Sequence, residues 1–197
     1  MKRTLLIIFS TSAMLGLVAC NSDTKTTHKN ETSNDAKVKS VTTPVDPVTQ
    51  KIEELEKLTP VGLDELTPWL PDELNGIKRS NLTMSTDRGY AVAHADYEKN
   101  SKTDMRVTVY DCGGVAGANL YKVTYANKLN QLQENEEGYT KTTNFMGQKA
   151  IEHHEINNNI TTLTYVANNH ILVLVSARNF DPEKVREAAQ KLGTKAL

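Results

Sequence analysis

The chain has 197 residues, 24% of them charged, and a formal net charge of −1. So even a balance leaves no field with which to hold a polyanion, which argues against nucleic acid as a partner. With 38% hydrophobic residues it has enough length for one substantial core and too little for two comfortable domains.

At the start, Lys2 and Arg3 precede an apolar run that extends through Val18 and stops at Cys20. The run is too short to persist as a spanning helix and has the layout of a secretory signal peptide. Its boundary, Leu17-Val18-Ala19-Cys20, resembles the lipobox of bacterial lipoproteins. That resemblance implies cleavage before Cys20, a diacylglycerol on its sulfur and an acyl chain such as palmitate on the new amino group. Each buried methylene adds about 0.8 kcal/mol, so two or three chains form a durable membrane anchor. Asn21 follows, not the aspartate that retains enteric lipoproteins at the inner membrane. The implied address is the outer membrane, with the domain facing the periplasm or the cell surface.

Loss of residues 1–19 removes Lys2 and Arg3 and takes the formal charge from −1 to −3. Residues 20–47 hold the lipidated cysteine and a Thr, Lys, Asn, Ser and Asp stretch with almost nothing apolar to bury. They read as a flexible tether with a mean span on the order of 30 Å. Residues 48–197 then form a single α+β domain.

Val48, Ile52, Leu55 and Leu58 recur at helical spacing before Pro60, and Leu63, Leu66, Trp69 and Leu70 mark a second, proline-interrupted helical piece. After Gly76 the period changes to two, which predicts strands over residues 77–84, 90–97 and 105–111. On the second of these Ala91, Ala93 and Ala95 share one face, where small side chains let something bulky approach. The expected occupant is a helix over residues 115–132, presenting Ala118, Tyr121, Val123, Tyr125, Leu129 and Leu132 to the sheet. Strands follow over residues 139–145, 148–156, 160–167 and 170–178, with asparagines 157–159 and 168–169 where tight turns demand positive φ. "HILVLVSAR" is nearly continuous in apolar residues and predicts a central strand covered on both sides. Asp181 and Pro182 open a last helix whose stripe is Val185, Ala188, Ala189 and Leu192. The expected order is αα-βββ-α-ββββ-α, a mostly antiparallel sheet of about six or seven strands with helices packed on it.

This layout, with "LPDELNGIKRSN", "YDCGGVAGANLY", "YTKTTNFMGQKA" and "LVLVSARNFD", resembles uncharacterised lipoproteins of Bacteroidetes-type bacteria. The resemblance implies no activity, cofactor or catalytic residue. More distantly, an antiparallel sheet backed by helices looks like the PsbP type of fold, and fold alone does not carry function.

Three stretches could carry chemistry. In "YDCGGVAGANLY" a thiol, Cys112, sits between a strand and a glycine-led helix, where a helix dipole lowers a thiol pKa and backbone N–H groups could hold an oxyanion. No histidine spacing points at Cys112, and a free cysteine beside glycines is more often a buried thiol at a tight turn. If Cys20 is lipidated, Cys112 also has no cysteine partner in the chain. In "EHHE" the same-side pairs are Glu152 with His154 and His153 with Glu155, too few ligands for a metal site. In "NQLQENEEGY" the carboxylates Glu134, Glu136 and Glu137 would decorate a polar helix end. No cofactor motif is present: Gly113-Gly114-x-x-Gly117 lacks the Gly-x-Gly of a dinucleotide site. The leading expectation is therefore a lipid-anchored, non-catalytic domain that binds an envelope protein or a small ligand. The alternatives are a cysteine-dependent hydrolase or redox enzyme using Cys112, and a passive structural lipoprotein.

Overall fold

The computed structural model describes residues 46–86 and 88–193. The lipobox cysteine Cys20 and the tether up to residue 45 lie outside the described residues. The first helix, α1 (Pro47–Lys57), begins as its residues dictate: Asp46 accepts the N–H of Thr49 at 3.1 Å and Pro47 occupies the first turn. A four-residue α2 (Leu63–Leu66) runs into a 3-10 turn, Thr67–Trp69, that Pro68 starts. No described helix is long and apolar enough to cross a membrane.

The described strands form one nine-stranded antiparallel sheet. They are β1 (Glu73–Leu74), β2 (Ile77–Ser85), β3 (Val92–Asn100), β4 (Thr103–Asp111), β5 (Leu132–Asn135), β6 (Gly138–Phe145), β7 (Gln148–Glu155), β8 (Ile160–Ala167) and β9 (Ile171–Arg178). Their spatial order is β1-β2-β3-β4-β9-β8-β7-β6-β5. Two meanders thus meet along the β4–β9 seam, and α3 (Gly114–Thr124) carries the chain from β4 toward the far edge. The class is α+β as expected, but the sheet has nine strands, not six or seven. β1 escapes the sequence pattern because it is two residues long. β5 escapes it because its four residues are all exposed and show no alternation.

The predicted helix over 115–132 is also shorter than expected. It ends at Thr124, gives way to a 3-10 turn at Ala126–Lys128, and Asn130 then takes a left-handed φ of 62° that redirects the chain into β5. Leu132 is consequently 74% exposed on an edge strand instead of covering the sheet. Nor does this helix lie on the alanines. Ala91, Ala93 and Ala95 belong to a core with Leu66, Trp69, Leu70 and Leu74, so the bulky occupant is the α2 region with its tryptophan.

That core lies on the central strands of one face of the sheet, here called the inner face. Helix α4 (Pro182–Gly193) covers its other half through Val185, Ala188, Ala189 and Leu192 against β8 and β9. Buried polar tips find partners: Tyr97 donates to the Pro71 carbonyl at 2.7 Å and Tyr165 to the Ala189 carbonyl at 3.2 Å. On the opposite, outer face, α1 packs on α3, and Leu55, Tyr121 and Tyr125 cover Ile151, Val166 and Leu172. β9 lies at the centre of the sheet with Val173 and Val175 in one core and Leu172 in the other. Of the turn asparagines, Asn159, Asn168 and Asn169 do adopt positive φ, at 46°, 45° and 65°.

Candidate functional site

The glycine-led stretch after β4 is a structural joint. Asp111 is fully buried at the strand's end, where its carboxylate accepts the Val61 N–H at 2.8 Å and the Gly113 N–H at 2.9 Å. It thereby pins the loop between α1 and α2 to β4. Gly114 takes φ +74°, and Gly117 faces the Cys112 backbone so closely that a Cβ there would stand 2.5 Å from the Cys112 carbonyl carbon. These glycines let α3 turn back over the strand end. Cys112 itself is 0% exposed among Leu55, Ala118 and Leu172. Burial pushes its thiol up to about 12, with a further push from the neighbouring Asp111 carboxylate. Such a thiol is protonated at neutral pH, the reverse of an activated nucleophile.

The histidine-glutamate stretch forms β7, and the strand's alternation separates its members. Glu152 points to the inner face and is 3% exposed. It accepts from Tyr139 at 2.8 Å, pairs with Lys141 at 2.9 Å and binds Arg186 of α4, whose guanidinium also donates to Thr143 at 3.0 Å. Burial alone would raise this carboxyl, yet hydrogen bonds from Lys141 and Tyr139 and the Arg186 charge outweigh it and hold Glu152 below its ordinary value. The group closes the end of the inner core and ties α4 to the sheet. His154, on the same face, shares a 2.9 Å hydrogen bond with Thr161 and lies 5.6 Å from the Tyr139 ring centre. Among the described residues no cluster of His, Cys, Asp and Glu could hold a metal ion. The acidic stretch is not a helix end: Glu134 lies in β5, and Glu136 and Glu137 form the turn into β6.

What the sequence does not announce is the uncovered half of the outer face. Strand register brings one residue from each of eight strands into a single row: Asn81, Asp96, Arg106, Ser176, Thr162, His153, Thr140 and Gln133. Every member carries a hydrogen-bonding head. With strands about 4.8 Å apart, the row runs on the order of 34 Å across the sheet. Neighbours along it are joined: Asn81 to Asp96 at 3.2 Å, Asp96 to Arg106 at 2.6 Å, Ser176 to Thr162 at 3.0 Å, and His153 to Thr140 at 2.8 Å. The Arg106 hydrogen bond holds the Asp96 carboxyl below its usual range despite partial burial.

Three hollows follow this row. One of about 400 Å³ opens beside Gln133, Thr140, His153 and Glu155. A second, of about 340 Å³, shares Gln133, Thr140 and His153 with it and has Ile151 and Leu174 as an apolar floor beneath Thr124 and Lys128. The third, about 550 Å³, lies around Asp96, Asp104, Arg106, Ser176 and Arg178. The second and third meet at the Thr162–Ser176 hydrogen bond, so together they form one open trough. Each hollow has the volume of an ordinary ligand site. The only trace in the sequence is the polar half of each strand's alternation; alignment into a row requires the register. No protein family, no curated protein and no solved structure matches the chain.

Proposed function

We propose that the chain is an outer-membrane lipoprotein, anchored through acyl chains on Cys20, whose domain is a non-catalytic binding module. The observation that supports the binding role is the asymmetry of the sheet. Its inner face is covered over the central strands by the α2 region and α4, whereas helices cover only half of its outer face and leave the polar trough open across those same strands. A fold that only had to be stable could place charged side chains there at random; instead the trough presents a continuous hydrogen-bonding row. The buried, high-pKa thiol of Cys112 leaves the trough as the surface through which the domain meets its ligand.

The test has two arms. Radiolabelled palmitate should enter the wild-type chain and not Cys20→Ala. A photo-crosslinking side chain at Thr162, in the trough, should capture an envelope component in intact cells, while the same group at the exposed Gln190 on α4 should not. Equal capture from both positions, or none from Thr162, would remove the binding role; palmitate in Cys20→Ala would remove the anchor.

A further inference from the structure

Resting on that reading, we infer that the trough takes an uncharged, hydroxyl-rich polymer, a glycan chain lying across the strands along the row from Gln133 to Asn81. The chemistry of the row selects this class. Its heads are hydroxyl, carboxamide, imidazole and an Arg–Asp pair, so it offers donors and acceptors side by side, as a polyol does in return. Its charges are answered from within: Arg106 stands 2.6 Å from Asp96 and Arg178 is 3.5 Å from Asp104, while His153 shares a 3.4 Å hydrogen bond with Glu155. Glu98 adds a further carboxylate to the same hollow. Lys128, on the other hollow of the trough, offsets Glu98, so the lining carries no net charge with which to select a polyanion or a polycation.

Geometry disfavours the other classes. An extended peptide binds a sheet by adding to its edge, where backbone groups are free, whereas the strands of the row use theirs in the ladders between them. An apolar ligand would find Ile151, Leu174, Ile160 and the threonine methyls, set apart in patches along a polar strip. Length and shape point to a chain and not a single sugar: the row crosses eight strands and the hollows beside it are open. Ile151 and Leu174 provide an apolar step against which the less polar side of a sugar ring can rest beside Thr164 and His153.

The experiment titrates the full chain, held in a zwitterionic detergent free of sugar, with a neutral oligosaccharide ladder: monosaccharide, tetramer and octamer of β-linked glucose and of N-acetylglucosamine. A sulfated polysaccharide and an unstructured peptide serve as other classes. We expect affinity to rise with oligomer length in one of the neutral series. His153→Ala and Arg106→Ala, at separated points of the row, should each weaken the octamer about tenfold with an unchanged melting temperature, because each removes hydrogen bonds to the ligand and little core. Asn81→Ala, at one end, should weaken the octamer more than the tetramer. No binding of any neutral octamer, binding of the sulfated polymer or the peptide alone, or glycan binding indifferent to all three substitutions would overturn the inference. If the crosslinker at Thr162 still captures a protein under those outcomes, the binding role stands and only the glycan assignment falls.

Discussion

The two faces of this sheet are built from the same strands and have opposite fates. On the inner face, alternate residues such as Ala95, Val107, Val175 and Leu163 are all fully buried beneath the α2 region and α4. One residue along each strand, on the outer face, the corresponding positions are Asp96, Arg106, Ser176 and Thr162. Toward the end of the strands where α1 and α3 lie the outer face becomes apolar and buried, at Leu172, Val166 and Ile151. β9 contains the whole transition: Leu172 is buried, Leu174 partly buried, then Ser176 and Arg178 open to the trough. Polarity thus changes along a strand as well as across it, and the line of change marks where helical cover stops.

The sharpest way to break this comparison is to lift the cover. Gly117→Ala places a Cβ 2.5 Å from the Cys112 carbonyl carbon, a backbone atom that cannot swing away, so α3 must shift. We expect a loss of about 3 kcal/mol in a urea melt. A variant as stable as wild type would mean that α3 does not sit tightly on the strand end.

Next in size, Glu152→Gln removes the carboxylate that joins β7 to α4. Breaking one side of a buried ion pair costs about 3–5 kcal/mol, and partial exposure of Lys141 and Arg186 reduces the expectation to about 2. The pH dependence has a definite sign. Because the folded carboxyl is held below its unfolded value, its contribution is fully present above about pH 4.3 and disappears as pH falls through the folded pKa. The gap between wild type and Glu152→Gln in thermal melts should therefore narrow on acidification below about pH 4. A gap that stays constant would show that the charge of Glu152 contributes nothing.

A smaller effect concerns Cys112. Cys112→Ser puts a hydroxyl among apolar neighbours and should cost about 1–2 kcal/mol, with Cys112→Ala milder because it needs no hydrogen bond. Iodoacetamide should label the native thiol more slowly than the denatured chain near pH 8. Native labelling that is faster would make Cys112 reactive and restore it as a candidate nucleophile.

At the small end, Thr162→Val in the open trough should change stability by about 0.5 kcal/mol or less, since Thr162 is only half-buried and gives up one hydrogen bond, to Ser176. Leu172→Ala, a neighbouring strand's residue under α1 and α3, should cost about 3 kcal/mol in the same melt. Similar losses for the two would abolish the distinction between covered and uncovered halves.

Much of the frame was legible because it is local. The central place of β9 followed from its unbroken apolar run, the start of α4 from Asp181 and Pro182, and the β7–β8 and β8–β9 turns from asparagines that tolerate positive φ. What the sequence hid was relational. Nothing local says whether Ala91, Ala93 and Ala95 meet Trp69 or α3, since both are bulky and both follow turns. The structural role of Glu152 was hidden because Arg186 is distant in sequence and near only after α4 docks. The polar row is the extreme case: it exists only through seven strand registers acting together.

The two-meander topology also bears on how the molecule comes to be folded. Every ladder except one joins strands that are consecutive in the chain, so each meander can form by short-range closures. The exception is β4 with β9, which brings Asp111 to Ile171 and Asp104 to Arg178 across the whole second meander. That seam closes at least entropic cost after β5 to β9 have assembled in order, because the intervening chain is then already compact, and closing it brings β9 under both cores at once. The kinetic bottleneck therefore falls at the middle of the sheet, where Val107 and Val175 meet, and not at its edges. Substitutions at this seam should slow refolding, whereas those in the β5–β6 hairpin should mainly hasten unfolding.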